Sequence, residues 1–263
     1  MSTHSFLDAC IQYKYLREAG YPEQATLKLV GDRHRLSRIE RNCLFRGVVA
    51  ESLAEERRNR IVAPGEVAGR SLGIDWYNVL IMVESYLRGQ PVFVAEDGVT
   101  RDSSATHGSY RRSPLTVQAI EGIVDAVVSM GPSRIDAFLD APVAHSGLMA
   151  DELRERLLRI PCPARVTLDR SADFPLKSYD GIVASSDSVI LDSAASILDL
   201  PRLVLSRGYG VTLPGVRDLY PSGAGGAFIS GAAGAFPTSP EAPRRWSGIE
   251  TPDPQAGGPR ALP

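Results

Sequence analysis

The sequence predicts an α/β fold: a mostly parallel sheet with flanking helices, preceded by a small helical domain over residues 1–65 and followed by a disordered tail. Three observations carry this reading. Residues 5–62 place apolar side chains at three-to-four spacing. From Ser71 to about residue 210, short apolar strands alternate with longer helical stretches. From Pro221 to Pro263 that periodicity stops, and Gly and Pro supply 16 positions with Ala and Ser another 12. Alternating strands and helices imply βαβ units with parallel pairing. The chain has 263 residues, enough for a large hydrophobic core.

The elements follow in order. Phe6, Cys10, Tyr13 and Leu16 or Arg17 mark one face of a first helix, which Gly20 and Pro22 stop. Residues 24–30 make a second short helical turn. Ser37 is an N-cap, with Glu40 completing a capping box. Leu44, Val48 and Leu53 read as the stripe of one longer helix running to the charge run at 55–60. Pro64 and Gly65 open a linker to Arg70. The α/β domain is expected over 71–210. Strands are expected to end at 73–75 and to span 91–95, 135–140, 164–168, 181–185 and 202–205. Helices are expected over 78–87, 116–130, 149–160 and 188–198. The segment 221–263 cannot bury enough surface to offset its ordering entropy and is expected to be flexible.

Composition narrows the class. Apolar residues make up 43% and charged residues 23%, near the values of globular proteins. The three cysteines (Cys10, Cys43, Cys162) are isolated, no CxxC occurs, and the histidines are scattered. This excludes a disulfide scaffold and a cysteine zinc site. No apolar run approaches the roughly 18 residues of a membrane helix. MSTHSFLDAC has no basic region followed by an apolar stretch, so a cytoplasmic location is expected. Residues 1–70 hold 12 basic against 9 acidic residues, whereas residues 71–200 hold 11 basic against 18 acidic.

Carboxylates follow the strands. Asp75 ends the first, Asp97 follows the second, Asp140 ends the third, and Asp187 follows the strand at 181–185. In a parallel sheet the carboxyl ends share one rim, where ligands bind. Packed carboxylates repel or take a cation, and hard oxygen ligands suit Mg²⁺ or Mn²⁺. Each also has a structural reading: Asp187 as a helix N-cap, Asp97-Gly98 as a turn. His107 with Tyr110 and Arg111 reads as a phosphate contact, and Arg101, Ser146 and Ser185 as further substrate contacts on the rim. No phosphate loop, GxGxxG or GxSxG is present.

Two resemblances add to this. LVGDRHRL (29–36), ERNCLFRGV (40–48), IDWYNVLIMVES (74–85), EDGVTRD (96–102), HGSYRRS (107–113), LDAPVAHSG (139–147) and SSDSVILD (185–192) together resemble the "domain of unknown function 434" family. There a short helical N-terminal domain precedes a companion α/β domain. The family carries no established activity over to this chain. Asp75-x-x-Asn78-Val-Leu after a strand, with SSDSVILD later, resembles the NYN and PIN-like nucleases, with Trp76 where their glycine stands. That resemblance implies a PIN-like α/β domain in which Asp75, Asp97, Asp140 and Asp187 hold the metal, and Asn78 orients Asp75 or a water.

The function expected from these readings is Mg²⁺- or Mn²⁺-dependent hydrolysis of RNA phosphodiesters. Arg33, Arg35, Arg38, Arg41 and Arg46 of the helical domain would grip phosphates. Two alternatives stay open: a non-catalytic nucleic-acid-binding or regulatory protein with a degenerate α/β domain, and a nucleotide or small phosphate-ester hydrolase.

Overall fold

The computed structural model describes residues 6–104 and 110–220. Four helices lead: α1 (Phe6–Glu18), α2 (Glu23–Arg33), α3 (Arg38–Gly47) and α4 (Glu51–Arg58). The capping box forms as expected. The Glu40 backbone N–H donates to Ser37 Oγ, and the Ser37 N–H donates to Glu40 Oε2 at 2.7 Å. The single helix expected through Val48 is broken. Val48 is extended, with φ −102° and ψ 118°. The stiff β-branched pair Val48–Val49 follows Gly47. A side chain on Gly47 would meet Val216 at 2.4 Å and Phe93 at 2.7 Å, so the helix end is the point of closest packing.

The helices do not close a core by themselves. Phe6, Cys10, Tyr13, Cys43 and Leu44 are joined by Phe93, Val216 and Leu219 from later in the chain. Burial pushes the Cys10 and Cys43 thiols up to about 12, so both act as small apolar groups.

The α/β part runs β1 (Ser71–Asp75), α5 (Trp76–Leu87), β2 (Val92–Val94), β3 (Thr100–Asp102), α6 (Thr116–Ser129), β4 (Arg134–Asp140), α7 (Ser146–Leu157), β5 (Ala164–Asp169), α8 (Asp173–Lys177), β6 (Ile182–Ala184), α9 (Ser188–Leu191) and α10 (Leu200–Leu203). Strands β5-β4-β1-β6 form a parallel sheet in that order. Alternate residues divide its faces. Leu72, Ile74, Ile135, Ala137 and Leu139 pack into the larger core with α5 and α6, whose apolar faces supply Val79, Leu80, Ile120 and Ile123. Val183 and Phe138 face a smaller cluster with Leu176, Ile190 and Ile197. Among the described residues no helix is long and apolar enough to cross a membrane.

Three expectations differ. The segment at 91–95 is not a strand of the parallel sheet. β2 pairs antiparallel with β3 around a turn at Asp97-Gly98, where Gly98 has φ +81°. So short a connection allows only an antiparallel return, because a parallel crossover needs a dozen or more residues. Residues 202–205 are helical rather than extended. Asp199 accepts the Arg202 N–H, and Pro201 sits in the first turn, which together start a helix. The helix expected over 188–198 ends at Leu191, and Ile197 instead bridges to Ile61 and Val183. The tail at 221–263 lies outside the described residues.

Candidate functional site

Both central strands, β1 and β4, deliver an aspartate at their carboxyl ends. Asp75 closes β1 and precedes α5, while Asp140 closes β4. Asp187 follows β6 and caps α9, accepting the Val189 N–H at 2.8 Å. Asp173 opens α8 after β5. These four line one cavity of about 60 Å³ together with Tyr77, Asn78, Ile81, Tyr110 and Val143. That is room for an ion or water rather than for a substrate.

The chain fixes one oxygen on each of three carboxylates. Ser185 Oγ donates to Asp75 Oδ2 at 2.8 Å, Ala172 N–H donates to Asp140 Oδ1 at 2.9 Å, and Asp187 Oδ1 is taken by its cap. Asn78 Oδ1 accepts from both the backbone and the hydroxyl of Ser186, at 2.9 and 2.7 Å. That leaves its amide N–H₂ as the group still able to donate.

The electrostatics are those of crowded carboxylates. Burial pushes Asp75 up to about 7; the Ser185 hydrogen bond opposes this, and the charges of Asp140, Asp187 and Asp173 add to it. Asp173 is also raised, by burial and by Asp187 and Asp140. Asp75 is 5% exposed. Burial next to negative charge penalises its anionic form. Among the described residues, no group of three or more carboxylates, thiols or imidazoles is gathered closely enough to hold a metal ion.

The structure thus brings Asp75, Asn78, Asp140 and Asp187 to one rim, with Ser185 bonded to Asp75 and the Tyr110 ring in the cavity wall. Asp97 stands elsewhere. It is fully buried in the β2–β3 turn, where Arg57 Nη1 and Arg101 Nη2 donate to its Oδ2 at 2.9 and 3.0 Å. It is a structural counter-ion, because its strand left the sheet. Asp173 takes its place at the rim. Asp173 is not singled out in the sequence, where its only signal is its place shortly after the 164–168 strand. Arg101 is buried against Asp97 and lies outside the acidic cavity. The Tyr110 hydroxyl donates to Glu84 at 2.6 Å, so only its ring is presented. Ser146 Oγ donates to the Ala141 carbonyl and does not line the cavity. Arg111 is exposed, and His107 lies outside the described residues. Trp76 is turned into the core at 1% exposure and leaves the rim uncrowded.

Of the helical-domain arginines, Arg33, Arg35 and Arg38 are exposed, with Arg35 at φ +53° in the α2–α3 turn. Arg41 is engaged by Asp32 at 2.9 Å, and Arg46 by Asp102 at 2.6 Å.

Comparison with known proteins gives a family but no activity. Uncharacterized protein MJ0935 of Methanocaldococcus jannaschii is similar to the chain, 26% identical over 181 residues that cover 69% of this chain and 86% of that protein. No solved structure matches the chain. The family described as "Protein of unknown function (DUF434)" matches residues 5–60. Residues 64–203, which carry every aspartate of the rim, match the family described as "Domain of unknown function (DUF5616)", and the chain belongs to that family with a DUF434 segment before it.

Proposed function

We propose that this protein hydrolyses phosphodiester bonds of RNA with a divalent cation held at the acidic cavity. The observation that supports it is the convergence of Asp75, Asp140, Asp173 and Asp187 on one small cavity at the carboxyl end of a parallel sheet. The donor set fits a hard cation. All four side chains offer oxygen, and their mutual repulsion is what a positive ion relieves. Asp75, Asp140 and Asp187 would hold it, with Asp173 beside them. Mg²⁺ or Mn²⁺ bound there supplies Lewis-acid stabilisation of phosphoryl oxygens and lowers the pKa of a bound water.

The chain's own groups have separate tasks. Ser185 fixes Asp75 Oδ2 and so sets the orientation of that carboxylate. With its carboxyl near 7, Asp75 gains or loses a proton at neutral pH only while the cation is absent; beside the bound cation it would stay ionised. Asn78, locked by Ser186, presents its amide to an oxygen in the cavity. Tyr77 and Tyr110, with ring centroids 5.3 Å apart, wall the cavity from the side.

The test is cleavage of a labelled single-stranded RNA by purified protein with Mg²⁺, Mn²⁺ or EDTA. Metal-dependent cleavage that Asp75→Asn and Asp140→Asn both abolish supports the reading. No cleavage with either metal overturns it.

A further inference from the structure

A second, larger cavity of about 520 Å³ lies between the helical part and the sheet rim. It falls within the roughly 300–1,000 Å³ of small-ligand clefts. It adjoins the acidic cavity: Asp187 lines both, and Ser186 of the larger cavity donates to Asn78 of the acidic one.

We propose that this cleft binds one nucleoside phosphate unit next to the acidic cavity, with the base stacked on Phe45 and the phosphate held by Arg46 and Arg101. The use of such a subsite rests on the phosphodiesterase reading, whereas its binding chemistry does not.

Phe45 lines the cleft, is partly exposed on α3 and belongs to none of the apolar clusters among the described residues. An aromatic ring placed in a cleft and unused by a core is a stacking platform. The guanidiniums beside it are held from behind. Arg46 Nη1 is anchored by Asp102 and the Ser104 carbonyl, and Arg101 by Asp97 and the Thr100 carbonyl. Such anchoring pre-orients each group and leaves further N–H groups for an anion. Asn42, tied through its N–H₂ to the Ser103 carbonyl, presents its side-chain oxygen as an acceptor for a base edge. Two of the cleft's three carboxylates are paired with cations, Asp192 with Arg57 at 2.6 Å and Glu23 with Arg17 at 3.7 Å, while Asp187 caps α9 at the edge shared with the acidic cavity.

The source of the nucleoside phosphate, polymer or free nucleotide, is separated by the arms of the test. Binding of a fluorescein-labelled six-adenosine RNA to the full chain is followed by anisotropy in EDTA, with unlabelled AMP as competitor. The parent is expected to bind with log affinity falling against log salt by about 0.7 per neutralised phosphate. Phe45→Ala is expected to weaken binding by about tenfold or more, and Phe45→Trp to keep it within about threefold, since stacking needs only an aromatic face. Displacement by AMP at concentrations near those of the unlabelled RNA assigns a free nucleotide; displacement by the RNA alone assigns a polymer. No binding by the parent, equal binding by Phe45→Ala, or equal loss in Phe45→Ala and Phe45→Trp overturns the proposal. Because EDTA removes the cation, loss of cleavage with binding intact counts against the phosphodiesterase alone. Cleavage indifferent to Phe45 counts against the cleft alone.

Discussion

Replacing Asp75 by Asn removes a buried charge and keeps the shape of the side chain. Its carboxyl stands near 7 in the folded chain against an ordinary 3.8. Below 3.8 the group is protonated in both states and contributes nothing to pH dependence. Between 3.8 and 7 the unfolded chain ionises while the folded chain keeps its proton, so stability falls as pH rises. Above 7 the loss levels off, and at about 1.4 kcal/mol per unit it reaches at most about 4 kcal/mol. Asp75→Asn is therefore expected to be more stable than the parent at pH 8 in EDTA. The gain should shrink toward zero by about pH 4. Urea denaturation at pH 4, 6 and 8 measures both. A variant less stable than the parent at pH 8, or one with the parent's pH slope, would refute the claim that Asp75 is a strained, desolvated carboxylate.

Three further outcomes follow from the packing. Glu84 is fully buried and accepts from Tyr110, Thr116 and Ser113, with Arg88 also paired to it. Glu84→Gln should lower stability by about 3 kcal/mol in chemical denaturation, and a change under about 0.5 would show that the network is not cohesive. Arg57 joins α4 to buried Asp97 and to Asp192; Arg57→Ala should cost about 3–5 kcal/mol, read as a fall in melting temperature. Ser37→Ala removes one half of the α3 capping box and should cost about 1 kcal/mol, with unchanged stability the contrary result.

The parallel sheet was legible because β1, β4 and β6 are mostly apolar, β5 alternates Val166 and Leu168 with polar residues, and helices of clear period separate β1 from β4 and β4 from β5; the short α8 between β5 and β6 was not expected. β1, β4, β5 and β6 fall within two residues of their expected ends. The Ser37 capping box was legible because it is a local hydrogen-bond pattern. What was not legible depended on partners distant in sequence. The segment at 91–95 looks like any buried strand; only the short turn to β3 and the seating of Phe93 among the α1 and α3 side chains reveal that it leaves the sheet. Asp97 was misplaced with it. Asp173 was missed because it opens α8, beyond the expected end of the 164–168 strand, and spacing alone does not place it on the cavity. Arg101 reads in sequence as a substrate contact on the rim and is instead buried against Asp97.

The central claim is that the acidic cavity takes up a divalent cation, and Mn²⁺ titration read by the electron paramagnetic resonance of the free ion tests it most directly. The parent should remove Mn²⁺ from solution, with Mg²⁺ competing. Asp75→Asn and Asp140→Asn should each weaken uptake by about tenfold or more, as loss of a hard anionic ligand requires. Asp169→Asn should bind as the parent does, because Asp169 ends β5 but does not line this cavity. A parent that leaves the Mn²⁺ signal unchanged, or Asp75→Asn and Asp169→Asn variants that bind alike, would contradict the account.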